Sequence, residues 1–396
     1  MNATKIECLK KKVHDCLVGG AMGDALGYPV EFMQYGEIVQ KFGPKGISNF
    51  HLNNKGVAEI SDDTQMTLFT AASALMGLTR GRMRGIGGNP GDYTEYGYRD
   101  WYYTQRGRTL RKGEHRHTWL MDVPELYSNR APGNTCLNAI ASMLRHEEVH
   151  NDSCGCGGVM RTAPLSAIYA LYKTGFEKND RAAARTAALT HKHHLGYIPA
   201  AILNHILYDI FSDESGKEME MYVLDAISYF KGNESLKWED FDHGMESSSE
   251  LFKQRMEKQL GLLELAIELA KSDIDDVTSI HKLGSGWTGH EALAIAIFCA
   301  LRYPDNIDNA LIASVNHSGD SDSTGSITGQ LVGAYSGIDN TKMNLQALEL
   351  LDVIEEIAED CATQCPIYEY MTEITEAGER WETKYCYHRR WTKKNN

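Results

Sequence analysis

The segment NHSGDSDSTGSITGQLVGAYSG, residues 316–337, decides how the rest of the chain is read. Gly325, Gly329, Gly333 and Gly337 recur every four residues, which puts them on one stripe of a helix. Each glycine inside a helix costs about 0.8–1 kcal/mol relative to alanine. A stripe of them is tolerated where another backbone, or a ligand, must come very close. The spacing therefore predicts a helix packed deep in the core. Membrane helices use the same small-x3-small pattern, but this segment is too short and too polar to span a bilayer. At its head stand Asp320, Ser321, Asp322 and Ser323, so the helix aims two carboxylates into one pocket.

A second cluster of the same kind lies far upstream, SDDTQMT at residues 61–67. Ser61 or Asp62 can cap a helix there, with Thr64 or Gln65 closing the first turn. The plain alternative is that both clusters are caps and nothing more. One acid caps a helix, however, and two or three crowded at one end repel each other. The helix dipole offsets only about 0.3–1 kcal/mol for each, whereas a divalent cation neutralises the surplus. Carboxylate and hydroxyl oxygens are hard donors, suited to Mg2+ or Mn2+ rather than zinc. If the clusters meet, Asp62, Asp63, Asp320 and Asp322, with Ser61 and Ser323, can hold two Mg2+ (or Mn2+) ions at charge balance.

Outside these clusters the pattern is helical. Proline is scarce, 9 in 396 residues, so long helices are not interrupted. Leu260, Leu263, Ala266, Ile267 and Leu269 recur at helical steps, as do Leu350, Leu351, Ile354, Ile357, Ala358 and Cys361. The run ALAIAIFCAL at 292–301 is apolar all round and predicts a central buried helix. Alternating strand patterns are hard to find. The expected fold class is all-α, with glycine-rich loops between helices. No compositional break divides the chain, so one domain over residues 1–396 is expected. The polar, acidic stretch 212–250 reads as a surface excursion, and the aromatic, basic tail 385–396 as a segment that packs or frays.

The formal charge of −14 argues against nonspecific nucleic-acid or anionic-membrane binding. No apolar run reaches the ~20 residues a transmembrane helix needs, and the N-terminus lacks the apolar core of a signal peptide. With nine scattered cysteines, a reduced cytoplasmic setting is expected. Their spacings build no zinc ribbon. HEEVH at 146–150 matches H-E-x-x-H, but the Asn-Asp-Ser-Cys-Gly that follows would end the helix and supplies no third ligand. An exposed helix end is the expectation there. Residues 19–27, GGAMGDALG, predict a glycine-rich loop that matches neither the Rossmann nor the P-loop spacing.

Taken together the motifs resemble the ADP-ribosylglycohydrolases, the group that includes the dinitrogenase-reductase-activating glycohydrolase and the ADP-ribosyl-arginine hydrolases. The matching segments run in family order: GDALG at 23–27 with Glu31-Phe32, SDDTQMT at 61–67, RAPGNTC at 130–136 and GGVMR at 157–161. Thr190-His191, GHEALA at 289–294 and residues 316–325 complete the series. The likeness covers roughly residues 13–337, leaving a C-terminal helix and tail at 338–396.

The resemblance implies a compact, orthogonal all-helical fold with a dinuclear Mg2+ or Mn2+ centre at the bottom of a cleft. By motif position the metal ligands are Ser61, Asp62, Asp63, Asp320, Asp322 and Ser323. Glu31 falls where the family has a glutamate near the metals. Gly157, Gly158, Met160 and Arg161, with His191, the Gly196-Tyr197 turn and Ser321, line the ADP-ribose pocket. Many relatives carry asparagine before the paired small residues, where this chain has Cys156, so one polar contact to the ligand is in question.

The implied activity is metal-dependent removal of mono-ADP-ribose from a modified protein side chain. Arginine is the first choice of acceptor, because the SDDTQMT form looks closer to the arginine-directed members. Asp62 or Asp63 is the expected base, with Glu31 as the second candidate. The implied partners are an ADP-ribosylated protein as substrate and ADP-ribose as product, with no membrane or nucleic acid, and the chain is taken to be a monomer. From another class comes a noncatalytic member that only binds ADP-ribose or a partner protein, as the hydrolase-like lens crystallins show that fold alone does not prove activity. A zinc peptidase built on HEEVH would need a third ligand.

Overall fold

The glycine stripe faces a second one. In the computed structural model, which describes residues 3–85, 89–107, 110, 115–232, 236, 248–367 and 375–392, the helix Ser321–Ser336 is buried from Ser321 to Ala334. It packs along the N-terminal helix Ala3–Gly27. A Cβ on Gly329 would lie 1.9 Å from the Gly19 carbonyl oxygen, and one on Gly27 would lie 2.3 Å from that of Ser321. Of the two occupants the stripe could serve, a backbone or a ligand, the backbone is the one present. Gly337 caps the helix at φ +83° and approaches a side chain instead of backbone, since a Cβ there would lie 2.9 Å from Asp15 Oδ2.

The expectation of a loop at residues 19–27 fails. The run is the C-terminal part of the Ala3–Gly27 helix. Its glycines look like a phosphate loop in isolation, but here they remove side chains so that two helices touch.

Among the described residues sixteen α-helices are joined by turns and short 3-10 segments, and pairing between extended segments is limited to isolated bridges. The all-α expectation holds. The helix Gly289–Arg302 carries the apolar run, and Ala292 to Ala300 are buried against Ser321–Ser336 and His194–Ser212. The helix Asp62–Met83 is buried from Asp62 to Gly77. The two predicted periodic stretches lie in Ser249–Ala270 and Leu351–Cys361. No helix among the described residues is long and apolar enough to cross a membrane.

The acidic stretch 212–250 is not wholly a surface excursion. Met219–Gly232 is a helix that buries Met219, Tyr222, Val223, Ala226, Ile227 and Phe230. Interleaved Glu220 and Asp225 hide that stripe from a composition-based reading; residues 233–235 and 237–247 of the stretch lie outside the described set. The tail packs. Lys384, fully buried on the helix Glu376–Tyr385, pairs with Asp360 and, at 3.0 Å, with Glu356, and the Tyr385 hydroxyl donates to Asp360 at 2.6 Å. Residues 393–396 of the tail are not described. At HEEVH the helix Asn134–Leu144 ends before His146, which has φ +58°, so the two histidines never share a helix face. The nine cysteines are all free.

Candidate active site

Each acidic cluster sits at a helix N-terminus, where unpaired backbone N–H groups favour negative charge. Ser61 is the N-cap of Asp62–Met83 and accepts from the Asp63 N–H at 3.1 Å. Asp320 is the N-cap of the second helix and accepts from the Ser323 N–H at 3.3 Å. The Asp320 N–H in turn donates to the Ser285 carbonyl at 2.9 Å. The segment carrying RAPGNTC holds the first cluster from outside: the Asp62 N–H donates to the Arg130 carbonyl at 3.0 Å, and Arg130 pairs with Glu59 at 2.8 Å and Glu349 at 2.6 Å.

Asp24 is a site residue that sequence reasoning missed. From the N-terminal helix it accepts from the Ser61 N–H at 2.9 Å, the Thr64 N–H at 3.0 Å and the Thr64 hydroxyl. It thus fixes the first turn that presents Asp62 and Asp63. The available signal was an acid between the glycines of an apolar helix, where only a partnered carboxylate is tolerated.

The two clusters meet. After burial, Asp322 is the leading charged influence on Asp24, Glu31, Asp62 and Asp63 alike. Met160 lies between the helices, its carbonyl accepting from Gln330 Nε2 at 2.7 Å and its sulfur 3.8 Å from the Ser323 hydroxyl. Burial and mutual repulsion push Asp62, Asp63 and Asp322 well above the usual carboxylate range, Asp24 up to about 7 and Glu31 up to about 10. Burial also raises Asp320, partly offset by hydrogen bonds from Asp322 and Cys156.

These carboxylates crowd one another without a lysine or arginine among their leading influences. Asp63 Oδ1 and Glu31 Oε2 are buried with no hydrogen-bond partner. Such a set of hard oxygen donors fits a divalent cation in chemistry. Among the described residues no three or more His, Cys, Asp or Glu side chains are already drawn together closely enough to hold a metal ion. Holding one therefore requires these side chains to close in on it.

The loop predicted to line the ligand pocket stands beside this centre. Cys156–Gly158 forms a short 3-10 turn whose Cys156 thiol donates to Asp320 Oδ2 at 2.7 Å. Gly158 must be glycine, since a Cβ there would meet the Gly196 carbonyl oxygen at 2.3 Å. Gly157 abuts the His191 ring, where a Cβ would lie 3.0 Å from Cε1. Burial, then the Arg161 charge, pushes His191 down to about 3, so its ring is neutral. Ser321 is fully buried at the second helix start.

Three expected pocket residues are placed differently. Arg161 is fully buried and donates to Thr190 Oγ1 at 2.7 Å and the Thr186 carbonyl at 3.2 Å, with its guanidinium 4.3 Å from the Tyr98 ring centroid. All of these partners lie outside residues 157–160, so the guanidinium is engaged in the interior. Gly196 and Tyr197 lie in the first turn of the helix His194–Ser212, not in a loop turn, and Tyr197 is fully buried.

The sequence profile of the ADP-ribosylglycohydrolases matches residues 7–369, nearly the whole chain. The chain belongs to the ADP-ribosylglycohydrolase family. An uncharacterized protein of Archaeoglobus fulgidus is 23% identical over 358 residues, covering 88% of this chain and 95% of that one. The ADP-ribosylhydrolase ARH3 of Homo sapiens is 27% identical over 205 residues, 49% of this chain and 53% of ARH3. The chain thus matches about half the length of this relative. A solved structure of an ADP-ribosylglycohydrolase-related protein complex superposes with a TM-score of 0.58 at 20% identity, covering 90% of this chain and 98% of that one. It shares the ADP-ribosylglycohydrolase fold described above.

Proposed function

We propose that this ADP-ribosylglycohydrolase removes mono-ADP-ribose from modified protein side chains, with arginine as the acceptor and two Mg2+ or Mn2+ ions as cofactors. The observation that supports it is that both acidic helix starts gather at the end of the N-terminal helix, where Asp24 accepts from the Ser61 N–H at 2.9 Å and a Cβ on Gly27 would lie 2.6 Å from the Asp322 Cα. Family membership and the similarity to ARH3 point the same way. Ser61, Asp62, Asp63, Asp320, Asp322 and Ser323 would hold the ions, which supply Lewis acidity toward the distal ribose. Asp62 or Asp63 accepts the proton of the attacking water on a carboxylate oxygen. Glu31, buried beside the same centre, is the second candidate for that base, and the bonding pair departs with the guanidinium nitrogen as the bond to the anomeric carbon breaks. Gly157, Gly158 and Met160 carry the backbone against which the nucleotide would rest.

The test is release of ADP-ribose from an arginine-ADP-ribosylated protein, with Mg2+ and then with EDTA. Release that EDTA abolishes is expected, and Asp320→Asn should lose it while keeping the wild-type helical signal. Full activity of Asp320→Asn would sink the ligand assignment. Binding of ADP-ribose without release from any acceptor would make the chain a binding protein.

A further inference from the structure

Beside the carboxylate centre lies a cavity of about 460 Å3, lined by Tyr28, Glu31, Phe32, His51, Asn53 and Glu59 among others. It shares Glu31 with the centre, so a side chain filling it would end against that carboxyl group. Lys41 also lines it, with its ammonium engaged over the Phe42 ring at 4.9 Å. Glu59 is already bonded to Arg130 and Asn53. Glu31 Oε2 is left as the buried oxygen of this wall that has no partner. Phe32 of this lining is 72% exposed, and its outer side is taken by Trp287, 42% exposed, whose ring stacks on it at 5.7 Å and 20°. They come from separate segments, and Trp287 is held by its carbonyl, which accepts from the Cys156 N–H at 3.2 Å. A stacked aromatic pair left partly in water beside a buried, unpartnered carboxylate suits a flat, positively charged group.

We propose that this cavity is the acceptor pocket, and that the stacked pair Phe32–Trp287 offers an aromatic face to the guanidinium of the ADP-ribosylated arginine. The inference rests on the arginine-hydrolase reading above and says which residues choose the acceptor. A serine acceptor offers neither a plane nor a charge to the rings.

The experiment compares two peptides of one sequence, ADP-ribosylated on arginine or on serine, with wild type, Trp287→Ala, Phe32→Ala and Trp287→Phe. Affinity for free ADP-ribose is measured by calorimetry alongside. Each alanine variant should raise KM for the arginine-linked peptide about fivefold and for the serine-linked peptide less than about twofold. Trp287→Phe, which keeps an aromatic face, should restore most of the loss. An equal rise for both peptides overturns the proposal, and so does weakened ADP-ribose binding, which would assign the rings to the nucleotide. Wild type that releases nothing from the arginine-linked peptide defeats the hydrolase reading and the pocket together. Wild type that releases it, with discrimination unchanged in both alanine variants, defeats the pocket alone.

Discussion

A Cβ on Gly23 would stand 2.0 Å from the carbonyl oxygen of Gly325, and a Cβ on Gly325 would stand 2.4 Å from the carbonyl oxygen of Gly23. The two helices therefore touch backbone to backbone, and neither side has a flexible side chain that could yield. Asp24 follows Gly23 directly, and Asp322 lies one turn before Gly325. The glycine contact sets the register in which those two carboxylates face each other.

Gly325→Ala should accordingly destabilise the protein. Helix propensity alone would gain about 0.8–1 kcal/mol, but overpacking against a rigid backbone costs about 1–3 kcal/mol or more. A net loss of about 2 kcal/mol in urea denaturation is expected. Gly261→Ala is the control: Gly261 lies mid-helix with nothing within 4 Å of a new Cβ, so it should gain about 0.4–1 kcal/mol. Equal effects at the two sites would contradict the packing argument.

Asp322→Asn should separate repulsion from metal binding. In EDTA at pH 8 the variant should melt higher than wild type, because one of the crowded buried carboxylates is gone. Millimolar Mn2+ should raise the Tm of wild type by mass action and leave that of the variant nearly unmoved. A variant that melts lower in EDTA, or that gains as much from Mn2+, would count against the site.

Cys156→Asn introduces the amide that the family resemblance leads one to expect next to Gly157. The thiol now donates to Asp320 at 2.7 Å, which an amide N–H can also do. One added hydrogen bond is worth about 0.5–1.5 kcal/mol. Calorimetry should show ADP-ribose binding about fivefold tighter, and an unchanged constant would mean that the thiol serves as well as the amide.

Acid should weaken the fold through His317. Burial pushes this imidazole down to about 4, against about 6.5 for an unfolded chain. The folded state then binds fewer protons than the unfolded state between those values. The stability from keeping the ring neutral is complete above about pH 6.5 and is lost as pH falls toward 4. In EDTA, the stability difference between wild type and His317→Gln should shrink by about 1.6 kcal/mol from pH 6.5 to 5. A constant difference would show that His317 titrates alike in both states.

Much of the site was legible from residue type and spacing. Ser61 and Asp320 are the caps that short-range chemistry predicts, and the acids beside them fall at helix starts where partial positive charge collects. Ala292–Ala300 is buried because an all-apolar helix has no face to give to water. Asp24 was missed because its partners, Ser61 and Thr64, lie far away in sequence. Arg161 was assigned to the pocket only because the resemblance carried the whole 157–161 segment, whereas its Nη2 is taken by Thr190 and the Thr186 carbonyl, far away in sequence.

By itself, then, the sequence determined the apolar helix at 292–301, the periodic stretches at 260–269 and 351–361, the two acidic helix starts with their caps, and the stripe of residues 325–333. Each of these follows from contacts within a turn or two of one chain segment. Only the tertiary structure decided that the partner of that stripe is the run at 19–27, that Asp322 faces Asp62, Asp63 and Glu31, and that Phe32 stacks on Trp287. Those relations join residues far apart in the chain. They depend on how closely two backbones can approach, a property of the packed pair that neither segment carries alone.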